Sequence, residues 1–218
     1  MKRTQWKVGA PLIFLAALPI LLASCSTNSS PPTASNPPAS TSTPTSQPAI
    51  NSNAGSQQAV APEQNPSGDI PDTQAFVGYK SAGNYQLEVP EGWARQTNQS
   101  NVSFVEKLDG VQVTVSNATA APTAQSVKTN EIPALEKSNQ AVKINSVKDV
   151  QLSGGKAVLI DYTSNSQPDA VTGKQVRLEN NSYLFYKNGK LATLRLYAPQ
   201  GADNVDQWQR MSNSFRWL

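Results

Sequence analysis

The sequence predicts an α+β domain, an antiparallel β-sheet with flanking helices, preceded by a disordered tether. Three observations predict it. From Phe76 onward, apolar and polar residues alternate through several runs separated by turn residues, as half-buried strands require. Two other stretches, Thr123 to Gln140 and Asp203 to Phe215, carry apolar residues at helical spacing instead. Between Ser26 and Ala75 there is no aromatic residue and no Lys or Arg, and Ser, Thr, Pro, Asn, Gln and Ala dominate. Such a segment cannot bury enough apolar surface to offset its ordering entropy.

The chain begins with a positive stretch of Lys2, Arg3 and Lys7, followed by an apolar run from Val8 to Ala23. That run is shorter than the roughly 20 apolar residues of a membrane-spanning helix, and Pro11 and Pro19 interrupt it. A charged start, an apolar middle and small residues at the end describe a secretory signal peptide, residues 1–24. It closes on Leu22-Ala23-Ser24-Cys25, which holds the chain's one cysteine. These four residues resemble the bacterial lipobox. The resemblance implies cleavage between Ser24 and Cys25, a diacylglyceryl group on the Cys25 sulfur and acylation of the new amine. Two or more acyl chains are what stable anchoring needs. Residues 25–75 are then the lipidated cysteine and its linker, spanning on the order of 40 Å as a flexible coil, and residues 76–218 are the folded domain.

Composition removes several function classes. Of 18 Lys and Arg residues, three lie in the signal peptide, leaving 15 against 15 acidic residues. A neutral mature chain has no electrostatic footprint for nucleic acid. Histidine is absent, which removes imidazole triads, the usual zinc ligand and the usual general base near neutrality. With Cys25 carrying lipid, no disulfide can form within the chain, and a domain of about 140 residues does not require one.

Within the domain, Phe76 to Tyr79 opens the ordered part, and Tyr85, Leu87 and Val89 alternate along a strand that Pro90-Glu91-Gly92 turns ahead of Trp93. Asn101 to Lys107 and Val111 to Val115 read as strands joined by an Asp109-Gly110 hairpin. Thr123 to Gln140 is helical, with Val127, Ile132, Leu135 and Ala141 on one face. Pro133 splits it into two short helices or leaves one late one. Long strands follow at Val142 to Leu152, Lys156 to Thr163, Val176 to Lys187 and Leu191 to Ala198. Asn188-Gly189 is the clearest hairpin turn, because both residues tolerate positive φ. Asp203 is expected to cap the last helix, with Val205, Trp208, Met211, Ser212 and Phe215 on its buried face.

Gly83-Asn84-Tyr85-x-Leu87-x-Val89-Pro90-x-Gly92-Trp93 resembles the opening hairpin of the PsbP-like family, as do Gly189-Lys190 and the closing Ser214-Phe215-Arg216. The resemblance covers Phe76 to Leu218 and implies that family's α/β/α sandwich. The family includes extrinsic subunits and assembly factors of photosystem II as well as exported bacterial lipoproteins. Histidine metal sites of some photosystem-associated members have no counterpart here. The implied role is non-enzymatic binding or docking to a protein complex of the envelope or thylakoid membrane, with no cofactor. A photosystem II assembly or oxygen-evolving-complex factor is the nearest alternative, and a small-ligand or cell-wall binding module is another.

Chemistry is sparse. A carboxylate-only hydrolase would need two carboxyl groups converging in a cleft. Asp161, in the apolar run Val158 to Tyr162, is its best candidate, although an outward-facing residue or a lysine partner describes it better. Glu179, Asp169 and Asp149 read as solvated. Ser153-Gly154-Gly155-Lys156 lacks the phosphate-loop spacing and precedes a strand, so it is a turn. Asp203-Asn204-Val205-Asp206 falls short of a calcium loop and reads as a helix start. Trp93, Trp208, Phe215 and Trp217 are core residues or the lining of a groove. No catalytic, cofactor-binding or metal-ligating residue is assigned.

Overall fold

The computed structural model describes residues 57–64, 67–138 and 140–218. The signal peptide, Cys25 and the linker up to Ser56 lie outside them. Ten strands and three helices follow in order: β1 (Phe76–Lys80), β2 (Tyr85–Pro90), β3 (Ala94–Asn98), β4 (Asn101–Glu106), β5 (Asp109–Asn117), α1 (Ala124–Asn130), α2 (Ile132–Glu136), β6 (Lys143–Leu152), β7 (Gly155–Asn165), β8 (Arg177–Lys187), β9 (Lys190–Pro199), α3 (Val205–Ser214) and β10 (Arg216–Trp217). They form two antiparallel sheets, one of seven strands ordered β3-β4-β5-β9-β8-β7-β6 and one of three ordered β1-β2-β10.

The strand period of two sorts the large sheet into two apolar faces. One face carries Val102, Phe104, Val111, Val113, Phe185, Leu194 and Leu196, buried beneath Tyr85, Leu87 and Val89 of the small sheet and Trp208 and Met211 of α3. The other presents Val158, Ile160, Tyr162 and Leu184 to Val127 of α1 and Ile132 of α2. The α+β architecture with flanking helices therefore stands, and the three-stranded sheet is an addition to it. Phe215 ties the layers together: it is fully buried, stacked on Phe185 at 4.3 Å and on Tyr85 at 5.6 Å between ring centroids.

Local chemistry accounts for the element ends. Thr123 caps α1 by accepting from the Ser126 N–H at 3.1 Å, while the Ser126 hydroxyl accepts from the Thr123 N–H at 2.9 Å. This reciprocal pair satisfies two amides that the first helical turn leaves free. Pro133 sits in the first turn of α2, where its missing N–H costs nothing, so the helical stretch splits in two. Asn188 and Gly189 adopt φ of +48° and +77° and join β8 to β9.

Several expectations are corrected. The domain does not begin at Phe76. Ile70 is buried in the main core, and the Val60 N–H donates to Asn165 Oδ1 at 3.1 Å while Asn165 Nδ2 donates to the Gln58 carbonyl at 2.8 Å. The polar composition of residues 57–75 concealed one apolar anchor and a set of backbone groups that side chains elsewhere can satisfy. Asp109-Gly110 is not the β4–β5 turn: Glu106 pairs with Asp109, so Lys107-Leu108 makes it and Lys107 takes φ of +52°. Gly110 lies instead within β5 against the Tyr197 ring, where an added Cβ would come within 2.0 Å of Cζ. Asp203 does not cap α3. Asn204 occupies the cap position and spends its side chain on the Ile70 N–H at 2.6 Å and the Gly68 carbonyl at 2.8 Å. Val205, at the exposed start of α3, is 71% exposed rather than buried.

Candidate binding surfaces

Three concave regions hold the chemically interesting side chains. The largest, about 730 Å³, opens where the β6–β7 turn, the C-terminal end of β8 and β10 meet. Leu184, Phe185, Tyr186 and Trp217 supply its apolar lining, with Lys156 and Gln151 exposed at its edge. Asp149 also lines it, but Oδ1 accepts from the Ala124 N–H at 3.0 Å and so serves the start of α1. The Ser153-Gly154-Gly155-Lys156 turn forms part of this wall and is a hairpin connection, as its sequence implies.

A second groove of about 530 Å³ lies between α3 and the β7–β8 end of the large sheet. It brings Asp161 and Glu179 onto one lining with Tyr183, Asn181, Gln209 and Asn213. Burial raises the Glu179 carboxyl above its ordinary value, the negative charge of Asp161 adds to that, and a hydrogen bond from the Gly201 amide opposes it. Asp161 is half-buried and accepts from Asn145 Nδ2 at 3.0 Å, so its partner is an amide and not a lysine. Two carboxyl groups thus share a cleft. Burial also raises the Tyr183 phenol, against a bond with Ser212.

The third region, about 300 Å³, is on the opposite face of the large sheet, beside α2. Gln112, Thr114, Ser182, Thr193 and Arg195 contribute polar groups to it, and Leu135, Ile160 and Leu184 apolar ones.

Of the aromatics singled out from sequence, Phe215 and Trp208 are core residues, and Trp93 packs half-buried on the core. Trp217 alone among them lines the largest groove. Asp169 is solvated, accepting from the Thr172 N–H at 2.8 Å and the Val171 N–H at 3.1 Å. Those bonds hold its carboxyl below the usual range. Cys25 and Ser24 fall outside the described residues. Among the described residues no group of three or more acidic or cysteine side chains is placed to hold a metal, and no helix is long and apolar enough to cross a membrane.

Sequence reasoning missed a buried polar cluster at the far end of β7 and β8. Arg177 is 4% exposed and donates to Asn165 Oδ1 at 3.0 Å, to the Ala141 carbonyl at 2.8 Å and to the Thr163 hydroxyl. Among the described residues no carboxylate pairs with it, and burial lowers its pKa. Asn165 is thereby fixed to hold Gln58 and Val60. Polar residues within a strand carry no sequence mark that separates this role from solvent exposure.

No protein-family model and no curated protein sequence matches the chain. Solved structures do. The chain is similar to a crystal structure from Bacteroides thetaiotaomicron at 10% identity and TM-score 0.44, covering 65% of this chain and 48% of that one. It is similar to a protein of unknown function from Pseudomonas aeruginosa at 18% identity and TM-score 0.41, covering 64% and 94%. The solution structure of cyanobacterial PsbP from Synechocystis matches at 15% identity and TM-score 0.51, covering 71% of this chain and 99% of that chain. At that identity the likeness is one of fold, and the fold is PsbP-like.

Proposed function

We propose that the chain is an extracytoplasmic lipoprotein, anchored through acyl chains on Cys25, whose PsbP-like domain binds rather than catalyses. It docks onto a protein complex of the envelope or thylakoid membrane, and the linker that follows Cys25 gives the domain reach. The observation that carries this reading is the open groove of about 730 Å³ whose accessible aromatic wall is Tyr186 and Trp217. Its mixture of aromatic surface and exposed polar rim is what interface centres are made of.

The photosystem II alternative gains from the likeness to cyanobacterial PsbP. A carboxylate-only hydrolase gains from the shared placement of Asp161 and Glu179, and Asp161→Asn with unchanged partner binding separates it from docking.

The docking reading is tested on native gels of detergent-solubilised membranes. Lys156→Glu and Gln151→Glu alter exposed positions on the groove edge, so folding should hold within about 0.5 kcal/mol. The expected result is loss of co-migration with a larger complex for these variants and its retention for Lys128→Glu, away from the groove. Equal co-migration for all three variants would overturn the reading.

A further inference from the structure

We propose that the groove beside α2 is a binding site for a small organic monocarboxylate, with the Arg195 guanidinium as its anion anchor. The side chain of Asn180 is fully buried in the centre of the large sheet. Its Nδ2 donates to the Ser164 hydroxyl at 3.1 Å and lies 3.4 Å from the Tyr162 carbonyl. Those contacts fix which way the amide points, and its Oδ1 then accepts from Arg195 Nε at 3.0 Å and Nη2 at 2.7 Å. The Tyr197 ring, 4.5 Å from the guanidinium carbon, covers one face of the same group. A long side chain that normally loses rotamer entropy on binding is thus already held in one orientation.

A guanidinium has five N–H donors. Asn180 takes the edge formed by Nε and Nη2, which leaves the Nη1–Nη2 edge, the fork that matches a carboxylate in two parallel bonds. Among the described residues the ion pairs are Lys107–Glu106 and Arg210–Glu88, so Arg195 has no carboxylate partner. The surroundings define the rest of the ligand. Gln112, Ser182 and Thr193 offer further hydrogen bonds beside the guanidinium, and Leu135, Ile160 and Leu184 offer an apolar wall for a short body. Glu131 also lines the groove, and its charge disfavours a second negative group on the ligand. A monoanion with a compact apolar body satisfies all of these. The site lies on the face opposite α3 and stands independently of the docking reading.

The test titrates the full chain, isotopically labelled and detergent-solubilised, with benzoate, with the neutral isostere benzamide and with the dianion phthalate, reading the Arg195 Nε–H and the Gln112 and Thr193 amides by NMR. Saturable benzoate shifts are expected at these three positions, with benzamide weaker by about tenfold or more, since a charge-assisted pair contributes roughly 1.5–3 kcal/mol. Phthalate should bind more weakly than benzoate. Arg195→Gln should abolish the benzoate response, and Arg195→Lys, which keeps the charge but not the fork, should weaken it. Equal binding of benzoate and benzamide to the wild type overturns the proposal whatever the variants do. So does a benzoate response centred on Trp217, or none at all.

Discussion

Asp109 lies directly beneath Gly68: a Cβ added at residue 68 would fall 2.9 Å from Asp109 Oδ1. The segment leading into β1 therefore roofs a carboxyl group that is 5% exposed and whose Oδ1 has no hydrogen-bond partner among the described residues. Burial, reinforced by the charges of Asp69 and Glu106 and opposed by Lys107, pushes Asp109 up to about 7.

That position gives the fold a pH dependence of definite sign. A carboxyl whose folded pKa exceeds its unfolded value of 3.8 is held protonated more tightly by the native state. The stability it contributes is complete below about pH 4, is lost as pH rises to about 7, and changes no further above that. At about 1.4 kcal/mol per pH unit the ceiling is about 4 kcal/mol. Asp109→Asn should match wild type near pH 4 and exceed it at pH 8, as read from urea midpoints. A constant difference across that range would contradict the assignment.

Arg177 and Asn165 should behave as one unit. Arg177→Met removes the donor shared by Ala141, Thr163 and Asn165, and leaving buried acceptors unpaired costs about 1–3 kcal/mol each. Asn165→Ala removes the contacts to Gln58 and Val60 together with one of the three acceptors of Arg177, whose bonds to Ala141 and Thr163 remain. It should speed proteolytic cleavage within residues 57–64 while the rest of the domain keeps its resistance.

Gly110 faces the Tyr197 ring with no space for a side chain. Gly110→Ala should destabilise by about 1–3 kcal/mol through overpacking. Combined with Tyr197→Ala, which opens the space, it should cost less than it does alone, and a double-mutant cycle of equilibrium unfolding measures the coupling.

The elements legible in the sequence are those whose chemistry is local. Asn188-Gly189 announces its turn because both residues accept positive φ, and Pro133 announces a helix break because it lacks an N–H. The two-residue turns at Gln99-Ser100 and Lys107-Leu108 carry no such mark, since Gln99 and Lys107 adopt positive φ, +53° and +52°, only because the strands around them demand it. Strand β3 escaped notice because all five residues, Ala94 to Asn98, are exposed and nothing alternates. Strand β10 has two residues and exists through its pairing with Gln86 and Tyr85. Candidate site residues divide the same way. Trp217 could be named as groove or core from its type alone. The roles of Arg195 and Arg177 depend on Asn180 and Asn165, partners 15 and 12 residues away that only the β8–β9 and β7–β8 registers bring together.

The decisive measurement places a photo-crosslinking amino acid at Tyr186 on the groove wall, in native membranes, with and without Cys25→Ala. A docking lipoprotein predicts one defined adduct for the lipidated chain and its loss when Cys25 is replaced, while the Cys25→Ala chain keeps the same urea midpoint. The absence of any adduct from the correctly lipidated, folded chain would contradict it.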